Sequence, residues 1–248
     1  MTAAVKKESP DFWRGGRVPW VAPWTGEKAG RDVIRRVRDR EGGWRLGFAD
    51  EVGTDRHQGV LWGRRGVARG QGAPLLKEVH PIRQRQAMGW MRCQVDKTDT
   101  YENTGKDGRS YFSAWGERHL FLLRSSDGRP IEDGELTMSP PVCLPCAIES
   151  VSEAGCPRLR RGYAAALVQR TELWGVNGLV YDGETLQPHL SNSKDGMWNV
   201  AYGDPAARWV VAAGEIVRLR GVTPVDLADL AAQNGLLQPT VERHGATQ

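Results

Sequence analysis

The stretch Arg92-Cys93-Gln94-Val95-Asp96, read together with Pro141-Val142-Cys143-Leu144-Pro145-Cys146, decides how the chain is expected to fold. All four cysteines lie between Arg92 and Cys156. Two thiolates in C-x-x-C spacing at the mouth of a helix, facing a third from an earlier turn, are an arrangement that holds one tetrahedral Zn²⁺. Cys93 and Asp96 repeat that spacing in a first knuckle, and a carboxylate oxygen ligates zinc at nearly the bond length of imidazole, so Asp96 is the expected fourth ligand. Cys156 is its rival. Ten residues past Cys146, it would stand roughly 15 Å along an unbroken helix, and only a bend at Gly155 or an early helix end would bring it back. A third reading leaves Cys143 and Cys146 as ordinary buried thiols with no metal.

Around these knuckles the sequence predicts an α+β protein: a treble-clef zinc-knuckle core with flanking small β-sheets and C-terminal helices. Residues 1–30 read as an extended arm, broken by Pro10, Pro19 and Pro23 and anchored by Trp13, Trp20 and Trp24, whose rings pack on the body or stack on unpaired bases. Residues 31–74 read as a small β region, with strands over 31–38, 44–48 and 59–62, followed by a basic Arg/Gly loop. The zinc core spans 75–160. It opens with a helix from Pro81 to Trp90, after His80 as a capping or turn residue, and includes paired strands at 111–115 and 119–123. For 161–237 the expectation is a hairpin of 163–170 with 172–181, a strand at 197–202, and two helices, opened by Asp204-Pro205 and by Thr223-Pro224. Residues 238–248 read as a disordered tail.

Composition narrows the setting. No run of eighteen apolar residues occurs and Met1 to Pro10 is polar, which predicts neither a membrane span nor a leader; with so few cysteines, a reducing cytoplasmic location is expected. Charge is unevenly distributed. The first 95 residues carry 19 Lys and Arg against 10 Asp and Glu, the remainder 15 against 20. A basic front permits a footprint for phosphate backbones through Arg64, Arg65, Arg69, Arg83, Arg85 and Arg92, or it docks on the acidic rear, or it is a solvated face.

The order helix, R-C-x-V-x, hairpin, P-V-C-x-x-C resembles the zinc-stapled scaffold of HNH-type endonucleases. It is more similar still to a group of uncharacterised actinobacterial proteins. That likeness rests on His80-Pro81-Ile82-Arg83-Gln84-Arg85-Gln86-Ala87-Met88, Cys93-Gln94-Val95, Pro140 to Ala147, Cys156-Pro157-Arg158-Leu159-Arg160 and Asp204-Pro205-Ala206-Ala207-Arg208-Trp209-Val210, and covers roughly 75 to 220. The resemblance implies a structural zinc and brings no established activity; Asp96 stands where such proteins usually keep cysteine.

Nuclease chemistry of that kind needs a general-base histidine on the hairpin and a metal-binding histidine after the final C-x-x-C. His119 alone sits near the hairpin, as an expected strand-surface residue, and no histidine follows Cys146 in the helix. Glu149, three residues past Cys146, could instead act as a base beside a three-cysteine zinc carrying water. No phosphate-cradling glycine loop and no G-x-S-x-G elbow occurs. The sequence therefore points first to a non-catalytic zinc-stapled binding protein whose partner is DNA, RNA or another protein. A metal-dependent nuclease around His119 or a zinc hydrolase around Glu149 is the contrasting class.

Overall fold

The computed structural model describes residues 11–30, 32–105, 107–152, 155–193 and 195–236. The polar N-terminus to Pro10 and the tail 238–248 lie outside them. In chain order the elements are β1 (Phe12–Trp13), β2 (Gly16–Arg17), β3 (Ile34–Arg38), β4 (Trp44–Phe48), β5 (Arg56–His57), β6 (Val60–Trp62), α1 (Pro81–Gly89) and α2 (Tyr111–Ala114). There follow β7 (His119–Arg124), β8 (Leu136–Thr137), α3 (Leu144–Val151), β9 (Tyr163–Tyr181), β10 (Pro188–His189), β11 (Trp198–Ala201), β12 (Val210–Val225) and α4 (Leu227–Gln233).

An eight-stranded mixed sheet dominates, and this overturns the expected treble-clef core with small flanking sheets. Its spine is one long antiparallel ladder between β9 and β12, running from Val180↔Val210 to Ala165↔Val225. On the outer side of β9, β7 pairs with its first half and β11 and β10 with its second. On the outer side of β12 lie β8, antiparallel, and β6, parallel through Val211↔Leu61 and Ala212↔Trp62. The strand expected at the centre of the zinc core, His119 to Leu123, is thus a sheet strand paired with β9, and the cysteine-bearing turns sit at the margin of that sheet.

Two segments account for the difference. The segment 163–181 has no turn residue at Arg170-Thr171-Glu172, so the expected hairpin is a single 19-residue strand. At Gly175 and Gly178 neighbouring strands approach so closely that a Cβ would lie 2.1 Å from the Val200 carbonyl oxygen and 2.3 Å from that of Val211. The expected helix after Asp204-Pro205 is only a 3₁₀ turn, Pro205–Trp209, capped by Asp204 accepting from Ala206 N at 2.7 Å. From Val210 the β-branched, alternately buried Val-Val-Ala-Ala run continues as strand. The capping signal was genuine, but it marks one turn.

Smaller corrections follow the same logic. Tyr111 to Trp115, expected as a strand, is the short helix α2, on which Tyr111 and Trp115 stack one turn apart at 5.1 Å. The third strand of the expected small sheet, β6, belongs to the main sheet, leaving β3 and β4 as a separate two-stranded ribbon. The last helix starts later than Thr223-Pro224, at Leu227, with Asp226 accepting from the Ala228 and Asp229 amides. Helix α1 buries Pro81, Gln84, Ala87 and Met88, whereas Ile82 and, just past its end, Trp90 are exposed.

Candidate metal centre

Cys93 sits in a tight knuckle. Its amide donates to Thr98 O at 2.8 Å and its carbonyl accepts from Lys97 N at 3.0 Å, with Met91 and Lys97 at positive φ where the chain reverses. Gln94 ties this knuckle to the second: its amide donates to Pro141 O at 3.0 Å and its side-chain nitrogen to Pro140 O at 2.8 Å. Cys143 then occupies the N-cap position of α3, with Pro145 in the first turn, so that Cys143 and Cys146 share one end of the helix.

This construction brings Cys93, Asp96, Cys143 and Cys146 together, with one ligand atom from each and all four atoms within 4.8 Å of one another. The sulfurs are buried, and Asp96 is the least buried of the four. Asp96 Oδ1 is fixed by the Thr98 amide at 2.9 Å, and Oδ2 lies 3.5 Å from Cys143 Sγ and 3.3 Å from Cys146 Sγ. The edge of a tetrahedron with ~2.3 Å metal–sulfur bonds is about 3.8 Å, so the group is the right size to hold one metal ion. Cys156 takes no part: α3 ends at Val151, and Cys156 is exposed beyond it, its amide bonded to Ser150 O.

The donor set also suits a cation on electrostatic grounds. At Cys93 burial opposes ionisation, but hydrogen bonds from Cys143 and Cys146 outweigh it and draw the thiol down to about 2. Cys146 is pushed well above the usual thiol range by its bonds to Cys143 and Cys93 and by burial. Three sulfurs this close thus do not all ionise together, and a divalent ion is what would let them do so. Arg17 supplies outer-sphere charge compensation. Burial works against its charge, but the neighbouring Cys146, Glu149 and Asp96 raise its pKa overall.

The weak catalytic candidates are otherwise engaged. Glu149 receives the Arg17 Nε–H at 2.7 Å. His119 is not on a strand surface: it is 4% exposed, packed between the rings of Tyr101 and Phe112, with Nδ1 2.8 Å from Thr100 Oγ1. His80 is buried at the N-cap of α1 without capping it through its side chain.

The six arginines read as a phosphate footprint are placed inward to differing degrees. Arg64 bonds Asp55, Asp50 and Asp32 at 2.5–3.1 Å. Arg65 pairs with Glu78 at 2.6 Å. Arg69 clamps the N-terminal arm through Asp11 and the carbonyls of Val18, Pro19, Trp20 and Ala22. Arg83 forms a two-pronged pair with the buried Glu27 at 2.7 and 2.8 Å. Arg85 lies over Trp62 and Arg92 over Trp90, each 4.6 Å from the ring centre. Opposite charge sits near most of these arginines only because of folding, which spacing along the chain does not reveal.

Exposed basic charge gathers instead on the β3–β4 ribbon. Arg36 and Arg38 lie over the Trp44 ring at 4.8 and 4.3 Å, Trp44 is 40% exposed, and among the described residues neither these two nor Arg35 or Arg40 pairs with a carboxylate. The signal was present in the sequence as Arg35-Arg36-Val37-Arg38 opposite Trp44, but no period distinguished it from a solvated strand. Among the described residues no helix is long and apolar enough to cross a membrane. No protein-family model matches the chain, and no match to it is found among curated proteins or solved structures.

Proposed function

We propose that the protein is a non-catalytic binding protein in which Cys93, Asp96, Cys143 and Cys146 hold a structural zinc ion, and that its partner is a nucleic acid. The observation that carries the reading is the four-donor shell itself: sulfur-rich, with three of its four residues buried, and flanked by a carboxylate, Glu149, already bound to Arg17. A closed shell of four protein donors is the structural form of a zinc site, whereas a catalytic one keeps a position for water. Neither enzyme reading gains support, since His119 is enclosed and Glu149 is paired.

The partner is argued from the ribbon. Arginines without carboxylate partners, gathered about a partly exposed tryptophan on a two-stranded β-ribbon, suit contact with the phosphates of a nucleic acid. Elemental analysis of the purified chain should find one zinc per chain, lost on Cys143→Ser. Fluorescence anisotropy with single- and double-stranded oligonucleotides should give affinity that falls steeply with salt and drops about tenfold in Arg36→Ala/Arg38→Ala. Binding that is absent at low salt would remove the nucleic acid from the proposal and leave a protein partner.

A further inference from the structure

A second cluster of charged groups, independent of the metal centre and of the nucleic-acid reading, lines a cleft of about 570 Å³ between the C-terminal end of α1 and the middle of β12. That volume lies in the range of small organic ligands. Its lining includes His57, Arg85, Trp90, Leu173 and Glu215.

Glu215 stands between two register shifts of β12, and its backbone is pinned there by Gln84, whose amide accepts from Glu215 N at 2.8 Å and donates to Glu215 O at 2.9 Å. Such irregularities re-aim side chains. The Glu215 carboxylate is 1% exposed, and Oε1 receives the Tyr202 hydroxyl at 3.1 Å with His57 Nε2 at 3.2 Å. Both of these contacts are made to Oε1. Arg85 lies against Trp62, hydrogen-bonds no described protein group, and has its Nη1 enclosed without a partner.

A half-buried guanidinium with an enclosed, unpartnered nitrogen is costly unless something completes it, and the recorded contacts of the carboxylate at the same cleft all go to one oxygen. If their role were only structural they should close on each other, as Arg83 and Glu27 do elsewhere in this chain at 2.7 Å. Outside them, Trp90, 54% exposed, and Leu173 offer an apolar wall.

We propose that this cleft binds a free α-amino acid with an apolar side chain, its carboxylate on Arg85, its ammonium on Glu215 Oε2 and its side chain against Trp90 and Leu173. A zwitterion serves both groups without adding net charge. An anion alone would face Glu215, and a cation alone would face Arg85. Tyr202 and His57 are positioning residues that hold the other carboxylate oxygen.

Calorimetric titration of the full chain with L-phenylalanine and L-leucine tests this, with 3-phenylpropanoate, which lacks the ammonium, and 2-phenylethylamine, which lacks the carboxylate, as comparison ligands. The amino acids should bind, and each phenyl analogue should bind at least about tenfold more weakly than L-phenylalanine, as expected for a lost charge-assisted hydrogen bond. Arg85→Gln should abolish the preference for L-phenylalanine over 2-phenylethylamine, and Glu215→Gln its preference over 3-phenylpropanoate. Absence of heat with both amino acids at millimolar concentration, or equal affinity for L-phenylalanine and its two analogues, overturns the proposal. The analogue comparison on the unmodified chain decides the matter even if a variant fails to fold.

Discussion

At the scale of single residues, His119, a candidate base, and His80, a candidate cap, show how burial makes a histidine a pH-sensitive structural element. Thr100 donates its hydroxyl to Met91 O, so its oxygen is left to accept from His119 Nδ1–H, and the imidazole is held neutral. Burial lowers the pKa of His119 from 6.5 to about 4, and burial with the nearby Arg83 does the same at His80. Between those values the unfolded chain binds more protons than the folded one. The contribution of each histidine is therefore intact above 6.5 and lost as the pH falls towards 4, by up to roughly 3 kcal/mol apiece. Urea unfolding across that window should give a steep loss of stability that is shallower in His119→Gln, which keeps a donor for Thr100 but does not titrate. An unchanged slope in the variant would show that His119 is not held neutral. The sequence could reveal that the histidine lacked a metal partner, but not that Tyr101, Phe112 and Thr100 would enclose it, because those contacts are made by loops whose path has no periodic signature.

At the scale of elements, side chains rather than regular hydrogen bonding hold the irregular parts. Gln84, fully buried on α1, satisfies the Glu215 amide and the carbonyls of Glu215 and Met138. Gln84→Leu keeps the volume but leaves buried backbone groups unpaired, and should cost about 3 kcal/mol in denaturant unfolding; Asp226→Ala, which removes only the cap of α4, should cost about 1 kcal/mol. Equal costs for the two would show that the irregular stretch of β12 does not depend on α1. The same elements mark what a reader of the sequence could see. Helix α1 was legible from Pro81, and the two knuckles from the repeated three-residue spacing of Cys93 with Asp96 and Cys143 with Cys146. Asp96 was preferred over Cys156 on the rise of an unbroken helix, but α3 ends at Val151, and it is the path after that end, not the rise, that leaves Cys156 exposed and apart. The course of β9 and β12 was not legible, because Asp204-Pro205 opens a turn with the same residues that open a helix, and because apolar steps of three and four also occur in a buried, bulged strand.

At the scale of the whole molecule, the metal centre and the sheet are separable in the chain but share a core. Every ligand lies on a turn or at the start of α3, and none on the β9–β12 ladder. One apolar cluster nonetheless joins Cys93, Cys143 and Cys146 to Leu120 and Leu122 of β7, Ala165 and Leu167 of β9, and Leu227 and Leu230 of α4. A bound ion would hold the two knuckles against this cluster, whereas the far half of the ladder packs around Val176, Val200, Val210 and Ala212 without reference to it. Chelation should therefore loosen the molecule unevenly. Hydrogen exchange with and without a metal chelator is expected to show lost protection at 93–100, 144–152 and 227–233, with 175–180 and 210–217 still protected, because local opening follows the contacts each unit depends on. Loss of protection along the entire ladder at once would mean that the ion is a condition of the fold as a whole, and that the sheet cannot hold its long central strands together without the knuckles at its margin.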